Sequence, residues 1–177
     1  AALERYPEQR VPADARARVY YAGLLLAVGE VVGCEQQLGQ LTGKDPRAQR
    51  LAEALATLTN ACGGDLDRLT HAAGLRALPA EASQALLRLG AYYLGWHATA
   101  EGGDPVARFH LDNGARLERI NWLADTSPKG LRQSLGMMVN YVYALEDVEK
   151  NHESYVNRHV VTCSSAVERL LKVAEGE

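Results

Sequence analysis

The 177-residue chain has few cysteines, namely Cys34, Cys62 and Cys163. Their odd number and irregular spacing exclude the disulfide framework that holds many small secreted domains together. No Cys-x-x-Cys pair occurs, which removes the commonest zinc-binding arrangement. We therefore expect three small buried thiols in a protein of a reducing compartment, the cytoplasm.

Long apolar stretches are also missing. No window of about 18 consecutive apolar residues occurs, so we expect no membrane-spanning helix. The best run, Val19 to Val32, is interrupted by Gly23, Gly29 and Glu30. No signal peptide is visible, and a chain that starts at Ala1 instead of Met suggests a processed protein or part of a longer one.

Neither sign of charge dominates the sequence. The net charge is −3 and charged residues make up 23% of the chain, which gives no basic surface for nucleic acid or for an anionic membrane. We therefore expect neither kind of partner. The apolar fraction of 47% is sufficient for the core of one domain, and the length fits one domain or slightly more.

Three common catalytic patterns are absent as well. The phosphate-binding glycine loops and the Gly-x-Ser-x-Gly turn of hydrolases do not occur. No two histidines stand at the i, i+4 spacing of a helical zinc site, so we expect no metal. The histidines are His71, His97, His110, His152 and His159.

Residues 1–100 have the pattern of a helical region. We expect helices from Ala15 to Leu41, from Asp45 to Cys62, from Asp65 to Ala73 and from Pro79 to Thr99, separated by glycines. The first of these is too densely apolar for a clean amphipathic stripe, which suggests either burial on most sides or burial against a partner. The crowded apolar face of Val19 to Val32 leads us to expect self-association.

The pattern changes after Gly102-Gly103-Asp104-Pro105, the clearest boundary in the chain. Apolar residues then alternate in two segments, Ala115–Ala124 with Trp122 on the inner face and Met137–Leu145, which predicts two strands. We expect short helices at 105–111 and 131–135, a polar loop at 151–158, and a final helix capped by Ser164 or Ser165. The chain is thus predicted to be α+β and mostly helical.

Within this second half, four side chains are candidates for chemistry, and each has an ordinary alternative. His110 beside Phe109 is either a functional histidine or a structural one. Tyr141 and Tyr143, which alternate along a strand, fit a core or interface as well as a site. The segment Ser127-Pro128-Lys129-Gly130 is either an ordinary capped helix start or a place where Lys129 and backbone N–H groups meet a phosphate.

The run FHLDNGARLERINWLADTSPKGLRQS followed by LGMMVNYVYALEDVEKNHESYV closely resembles the C-terminal part of malonyl-CoA decarboxylase. The resemblance covers about Leu86 to Leu171, roughly half of the chain. The matching motifs keep the family's order and spacing: Phe109-His110-Leu111, Asn113-Gly114-Ala115, Arg119-Ile120-Asn121-Trp122, Ala124-Asp125, Lys129-Gly130, Met138-Val139-Asn140-Tyr141 and Asn151-His152-Glu153.

The resemblance implies a metal-free and cofactor-free lyase that converts malonyl-CoA to acetyl-CoA and CO2. It implies that residues 104–177 are the C-terminal part of a catalytic domain of the acetyltransferase (GNAT) type, and that family members are oligomers. The family's catalytic histidine corresponds to His110 and a catalytic tyrosine to Tyr143. Loss of CO2 leaves an enolate, so we expect these two residues to serve it, with Asn113 and Lys129 binding the substrate.

The sequence also departs from the family. Family enzymes are longer, and their further strands, CoA pyrophosphate turn and catalytic serines have no match in residues 1–80. The chain is therefore a part of such an enzyme, or another chain completes its sheet. Alternatively, it is a shortened relative that acts as a non-catalytic structural or interaction module, or an acyltransferase relative that binds CoA thioesters.

Overall fold

The computed structural model describes residues 46–97 and 104–172. The helix predicted from Ala15 to Leu41, with the crowded apolar face proposed for self-association, lies outside the described residues. So do Gly102 and Gly103 of the predicted boundary and the side chain of His97.

Two long helices form most of the first described segment, and α1 (Pro46–Ala61) packs against α3 (Ala80–Tyr92). The buried face of α1 consists of Leu51, Ala54, Leu55 and Leu58, at the 3–4 spacing expected of an amphipathic helix. Cys62 follows this helix and is buried, and its burial raises the pKa of the thiol. Cys62 is therefore a core thiol, as predicted.

The single helix predicted from Asp65 to Ala73 is wrong. A 3-10 helix, Leu66–Thr70, is followed by a separate short helix, α2 (Ala72–Arg76). The Asp65 side chain accepts a hydrogen bond from the Asp67 N–H and begins the first turn, whereas His71 is extended (φ −120°, ψ 136°) and separates the two. Leu69 of the 3-10 helix and Leu75 of α2 are both buried in the core, and this tertiary packing overrides the local sequence pattern that predicted one continuous helix.

The helix predicted to reach Thr99 changes form after Tyr92. Residues Tyr93–His97 form a single π-helical turn, in which the ring of Trp96 stacks on Tyr92 with centroids 4.4 Å apart. A short α4 (Pro105–Asp112) then confirms the helix predicted at 105–111. Its start has a strong local cause, because the Asp104 carboxylate accepts from the Ala107 N–H at 2.7 Å and Pro105 occupies the first helical position.

Two antiparallel strands, β1 (Arg116–Asn121) and β2 (Met138–Val142), form the sheet. Leu117 pairs with Tyr141 and Ile120 with Val139, while the register shifts between Leu117 and Arg119. On its other side β1 meets an extended segment, because Leu117 donates to the Thr162 carbonyl and accepts from the Ser164 N–H, both at 2.9 Å.

Both strands are shorter than predicted. β1 ends at Asn121, and the left-handed Leu123 (φ 49°) turns the chain away, so Trp122 packs against the helical core outside the strand. β2 ends at Val142, and a turn closed by the Asp147 N–H and the Ala144 carbonyl follows. The predicted inner position of Leu145 is wrong, since its side chain is 92% exposed.

Three helices complete the described chain: α5 (Pro128–Ser134), α6 (Val148–Arg158) and α7 (Ser165–Leu171). The loop predicted at 151–158 is wrong, because this segment is α6. Its buried residues, Asn151, Ser154 and Tyr155, follow helical spacing but are mostly polar, so the apolar pattern did not show it. The Ser164 hydroxyl accepts from the Val167 N–H, which confirms the predicted cap of the last helix.

The apolar residues form two clusters. The first joins α1, α2 and α3 and includes Leu131 of α5. The second lies between the sheet and the helices around it and consists of Ala91, Leu94, Ala107, Leu117, Ile120 and Val167. This second cluster contains residues from both sides of the predicted boundary. The division of the chain into regions 1–100 and 104–177 stays a prediction.

For the described residues the α+β, mostly helical class is confirmed, with a two-stranded sheet. The assignment to an acetyltransferase-type domain stays a prediction. Within residues 46–97 and 104–172, no helix is both long and apolar enough to cross a membrane.

Leu117→Ala is expected to lower the free energy of unfolding by about 2–5 kcal/mol, because Leu117 is 1% exposed at the centre of the second cluster. The measurement is chemical denaturation of the variant and the parent. Leu145→Ala removes the same atoms from a 92% exposed side chain and is expected to change stability by less than about 0.5 kcal/mol. Equal losses in the two variants would contradict this account of the core.

Candidate active site

His110 lies in the last turn of α4, where the backbone is closely held. The Asn113 side-chain amide donates to the Phe109 carbonyl at 2.6 Å, and the Ala115 N–H donates to the His110 carbonyl at 3.0 Å. These bonds satisfy carbonyl groups that the end of a helix otherwise leaves without partners. The direction in which the His110 side chain leaves the helix is therefore fixed by its own backbone.

The turn after α4 is clamped by α6. Gly114 has a left-handed φ of 78°, and a Cβ at this position would stand 2.2 Å from the Val148 carbonyl oxygen. The buried Asn151 donates from Nδ2 to the Gly114 carbonyl at 3.2 Å, and His152 Nδ1 hydrogen-bonds with the Asp112 carbonyl. Only glycine permits this close approach, which ties the histidine-bearing helix to α6.

The His110 side chain contacts two tyrosines from the end of the sheet. Its Nδ1 is 2.9 Å from the Tyr143 hydroxyl, a hydrogen bond whose donor depends on the imidazole tautomer. Its ring stacks on Tyr141, with centroids 4.5 Å apart and planes 13° from parallel. The neighbouring Phe109 approaches edge-on, at 5.4 Å and 78°.

This cluster is open to ligands. His110 is half-buried, while Tyr143 is 44% and Phe109 is 63% exposed. In the part of the chain that the structure describes, Nε2 of His110 has no hydrogen-bond partner. The imidazole therefore presents one nitrogen to Tyr143 and the other to whatever binds at this surface.

The two tyrosines differ chemically. Tyr141 is half-buried and packs with the second apolar cluster, and this burial, with the negative charge of Asp104 as a smaller contribution, raises the pKa of its phenol. It therefore remains a neutral ring at physiological pH. Tyr143 directly follows the end of β2 and is exposed, and its hydroxyl hydrogen-bonds with the His110 imidazole.

The structure brings His110 and Tyr143 together and places Asn113 one turn away as a helix cap. One of the two amide N–H groups of Asn113 is occupied by the Phe109 carbonyl. Asn113 thus already has a structural role, and a second role toward substrate stays a prediction.

Lys129 is exposed in the first turn of α5, and among the described residues no hydrogen bond, ion pair or ring contact joins it to His110 or Tyr143. The start of α5 has the ordinary capped form, with the Ser127 hydroxyl accepting from the Gly130 N–H at 3.1 Å. Asp125 accepts from the Ser127 N–H at 3.0 Å, and hydrogen bonds from Ser127, with the charge of Lys129, lower the pKa of the Asp125 carboxyl. Phosphate binding by Lys129 stays a prediction.

No group of three or more His, Cys, Asp or Glu side chains is placed to hold a metal ion within residues 46–97 and 104–172. That the site works without a metal or a cofactor stays a prediction, which rests on the absent sequence motifs and on the resemblance to the family.

Sequence reasoning missed two contributors. Asn151 was assigned to a loop, although the spacing of Asn151, Ser154 and Tyr155 would have shown a helical face if polar residues had been counted. Tyr141 was considered both for a core or interface and for a site, and it was not assigned to the site. Its partner His110 is 31 positions away, and only the pairing of β1 with β2 brings the two together.

Gly114→Ala is expected to destabilise the protein more than Gly64→Ala. Both glycines have a positive φ, which costs alanine about 1–2 kcal/mol. A Cβ at Gly64 meets nothing within 4 Å, whereas at Gly114 it collides with the Val148 carbonyl and adds at least about 1 kcal/mol. Chemical denaturation of both variants measures the difference. Equal stability losses would show that α6 does not hold the turn closely.

Most of the chain is similar to proteins of one known family. The family model described as the malonyl-CoA decarboxylase C-terminal domain matches residues 44–177. A curated relative from Anser anser anser, named "Malonyl-CoA decarboxylase, mitochondrial", is 49% identical over 83 residues, and that of Rattus norvegicus, with the same name, is 47% identical over 83 residues. These matches cover 46% of this chain and only 16% and 17% of the relatives.

Solved structures give the same relationship over a longer stretch. The crystal structure of malonyl-CoA decarboxylase from Rhodopseudomonas palustris is 40% identical, with a TM-score of 0.54, over 71% of this chain and 28% of that one. That from Cupriavidus metallidurans is 35% identical, with a TM-score of 0.51, over 67% of this chain and 31% of that one. The chain thus spans less than a third of each solved relative, and since the family model matches most of its length, it belongs to the malonyl-CoA decarboxylase family.

Proposed function

We propose that this chain contributes His110 and Tyr143 to the decarboxylation of malonyl-CoA, or of a related malonyl thioester, to acetyl-CoA and CO2. The observation that supports it most is the 2.9 Å contact between the His110 imidazole and the Tyr143 hydroxyl at an accessible surface. It occurs in a chain of the malonyl-CoA decarboxylase family. The reaction class is that of a carboxy-lyase.

The proposed reaction has two steps. The bond between the carboxylate carbon and the α-carbon breaks, CO2 leaves, and the bonding electron pair moves into the thioester as an enolate. A proton then adds to the α-carbon and yields the acetyl thioester. The barrier falls where hydrogen-bond donors already point at the oxygen on which charge develops, and where an acid can reach the α-carbon.

His110 and Tyr143 have the groups that both steps need. When the Tyr143 hydroxyl donates to Nδ1, the His110 proton is on Nε2 and faces the ligand side, where it stabilises the carboxylate or the enolate oxygen. When Nδ1 donates instead, the Tyr143 hydroxyl becomes available as the donor. In either arrangement the pair presents one polar hydrogen toward the substrate, and no metal is needed.

Asn113 and Lys129 have subsidiary parts in the proposal. The second N–H of the Asn113 amide is a donor near the end of α4, one turn from His110. Lys129 is an exposed cation suited to a CoA phosphate. Neither residue carries the proposal, and both are secondary targets for substitution.

The proposed partners follow from the sheet and the family. Within the described residues, β2 pairs with β1 only, so its outer edge has unpaired backbone groups. A strand of another chain, or of a second copy in a homo-oligomer, fits that edge. We expect no nucleic-acid or membrane partner. A cytoplasmic location remains our expectation, although the goose and rat relatives are named mitochondrial.

The direct experiment incubates the purified chain with malonyl-CoA and measures acetyl-CoA, alongside a binding measurement with CoA. Formation of acetyl-CoA supports the proposal. CoA binding without turnover would indicate a site that another chain must complete. Neither binding nor turnover would favour the alternative, a non-catalytic structural or interaction module.

His110→Ala is expected to lower kcat by about 10²–10⁴-fold, the usual contribution of one acid–base or oxyanion-stabilising group. Decarboxylation is followed through acetyl-CoA, and circular dichroism checks that the fold is intact. His71→Ala is the matched control, since His71 is an exposed histidine between the 3-10 helix and α2 that hydrogen-bonds with Thr70. Undiminished activity in a folded His110→Ala variant would refute the assignment.

His110→Ala and Tyr143→Phe are expected to be non-additive. Since the two side chains share one hydrogen bond, each loss removes much of what the other contributes. The double variant should then be at most about tenfold slower in kcat than the slower single variant. Multiplicative losses in the double variant would show that the two residues act independently.

A further inference from the structure

We propose that Tyr141 is a positioning residue for the reaction, because its ring holds the His110 imidazole in the plane that lets Nδ1 reach the Tyr143 hydroxyl. This inference deepens the proposed function and rests on it for the activity measurement. A spectroscopic measurement tests it independently.

The contact between His110 and Tyr141 has the geometry of a stack between different elements. The rings are 4.5 Å apart and 13° from parallel, although one lies in α4 and the other in β2. The other two rings near His110 are inclined by 78° for Phe109 and by 53° for Tyr143. Tyr141 is therefore the neighbour whose ring lies nearly parallel to the imidazole.

The His110 imidazole turns about its Cβ–Cγ bond, and a single hydrogen bond at Nδ1 restrains this rotation only weakly at an exposed site. His110 is half-exposed, and within residues 46–97 and 104–172 its side chain hydrogen-bonds to Tyr143 alone. A parallel aromatic face removes this rotation, since tilting the imidazole would separate the two stacked surfaces. The hydrogen bond and the stack together fix the ring, and with it the direction of Nε2.

Tyr141 is itself held by the sheet and the core. It stands opposite Leu117, a residue that is 1% exposed and whose N–H and carbonyl both bond to the Thr162–Ser164 segment. The Tyr141 side chain packs against the second apolar cluster. It can therefore act as a rigid support for a histidine at the surface.

The ring of Tyr141, and not its hydroxyl, is the part that matters. Burial keeps the phenol protonated, and the stacked geometry uses the aromatic face. A phenylalanine preserves that face, whereas a leucine fills similar space without it. This difference separates positioning by the ring from a direct chemical role of the hydroxyl.

The activity test compares Tyr141→Phe with Tyr141→Leu in the full chain. We expect Tyr141→Phe to keep kcat within about threefold, and Tyr141→Leu to lower kcat by about 10²-fold with KM changed much less, the size of effect that a misplaced catalytic group produces. Tyr92→Leu removes another stacked tyrosine, from Trp96, and is the matched control for loss of an aromatic stack. Its kcat is expected to stay within threefold of the parent.

The spectroscopic test records the ¹⁵N signals of the histidine rings of the folded chain at a pH where they are neutral. In the parent and in Tyr141→Phe, the δ1 nitrogen of His110 should differ clearly from that of His159, an exposed histidine in the same spectrum. In Tyr141→Leu the His110 signal should move toward that of His159, because the bond to Tyr143 is lost.

The outcomes are distinguishable. If the chain shows no decarboxylation at all, the ¹⁵N spectra still decide whether Tyr141 orients His110. An unchanged His110 signal in folded Tyr141→Leu would overturn the inference, as would equal kcat losses in Tyr141→Phe and Tyr141→Leu. A kcat loss in Tyr92→Leu as large as in Tyr141→Leu would also overturn it, since the loss of any aromatic stack would then lower kcat to the same extent.

Discussion

Leu117 hydrogen-bonds through both its N–H and its carbonyl to the Thr162–Ser164 segment, and it faces Tyr141 on the other side without using those groups. In an antiparallel pair this is the position at which opposing side chains come closest. The register shift between Leu117 and Arg119 adds one residue, Glu118, to β1. Leu117 and Ile120, three positions apart, can therefore both face the core, where plain alternation would put them on opposite faces.

Two sets of contacts from different parts of the chain converge on His110. The backbone that carries it is held by α6, through Gly114, Asn151 and His152. The side chain is held by the two tyrosines at the end of β2. The first set fixes the starting point of the side chain and the second fixes its plane, so the site depends on both the sheet register and α6.

The sequence was sufficient where a local cause decides the structure. The helix that begins at Pro105 and the Ser164 cap of the last helix were predicted, and alternation identified both strands. It failed where distant packing decides, as in α6, whose buried face is mostly polar, and at Trp122, which the left-handed Leu123 removes from the strand. His110 and Tyr143 were found through the resemblance to a family, because no spacing rule links residues 33 positions apart.

The exposure of this cluster bears on how the proposed chemistry could proceed. A hydrogen bond to a developing enolate stabilises it strongly only when water is kept away, since the effective dielectric is then low. Tyr143 is 44% and Phe109 is 63% exposed, and no segment among residues 46–97 and 104–172 covers them. The proposed reaction therefore requires that the bound thioester, another chain or residues outside these ranges close over the cluster. The exposed apolar edge of Phe109 is suited to that contact, because covering it removes apolar surface from water at the same place where the charge develops.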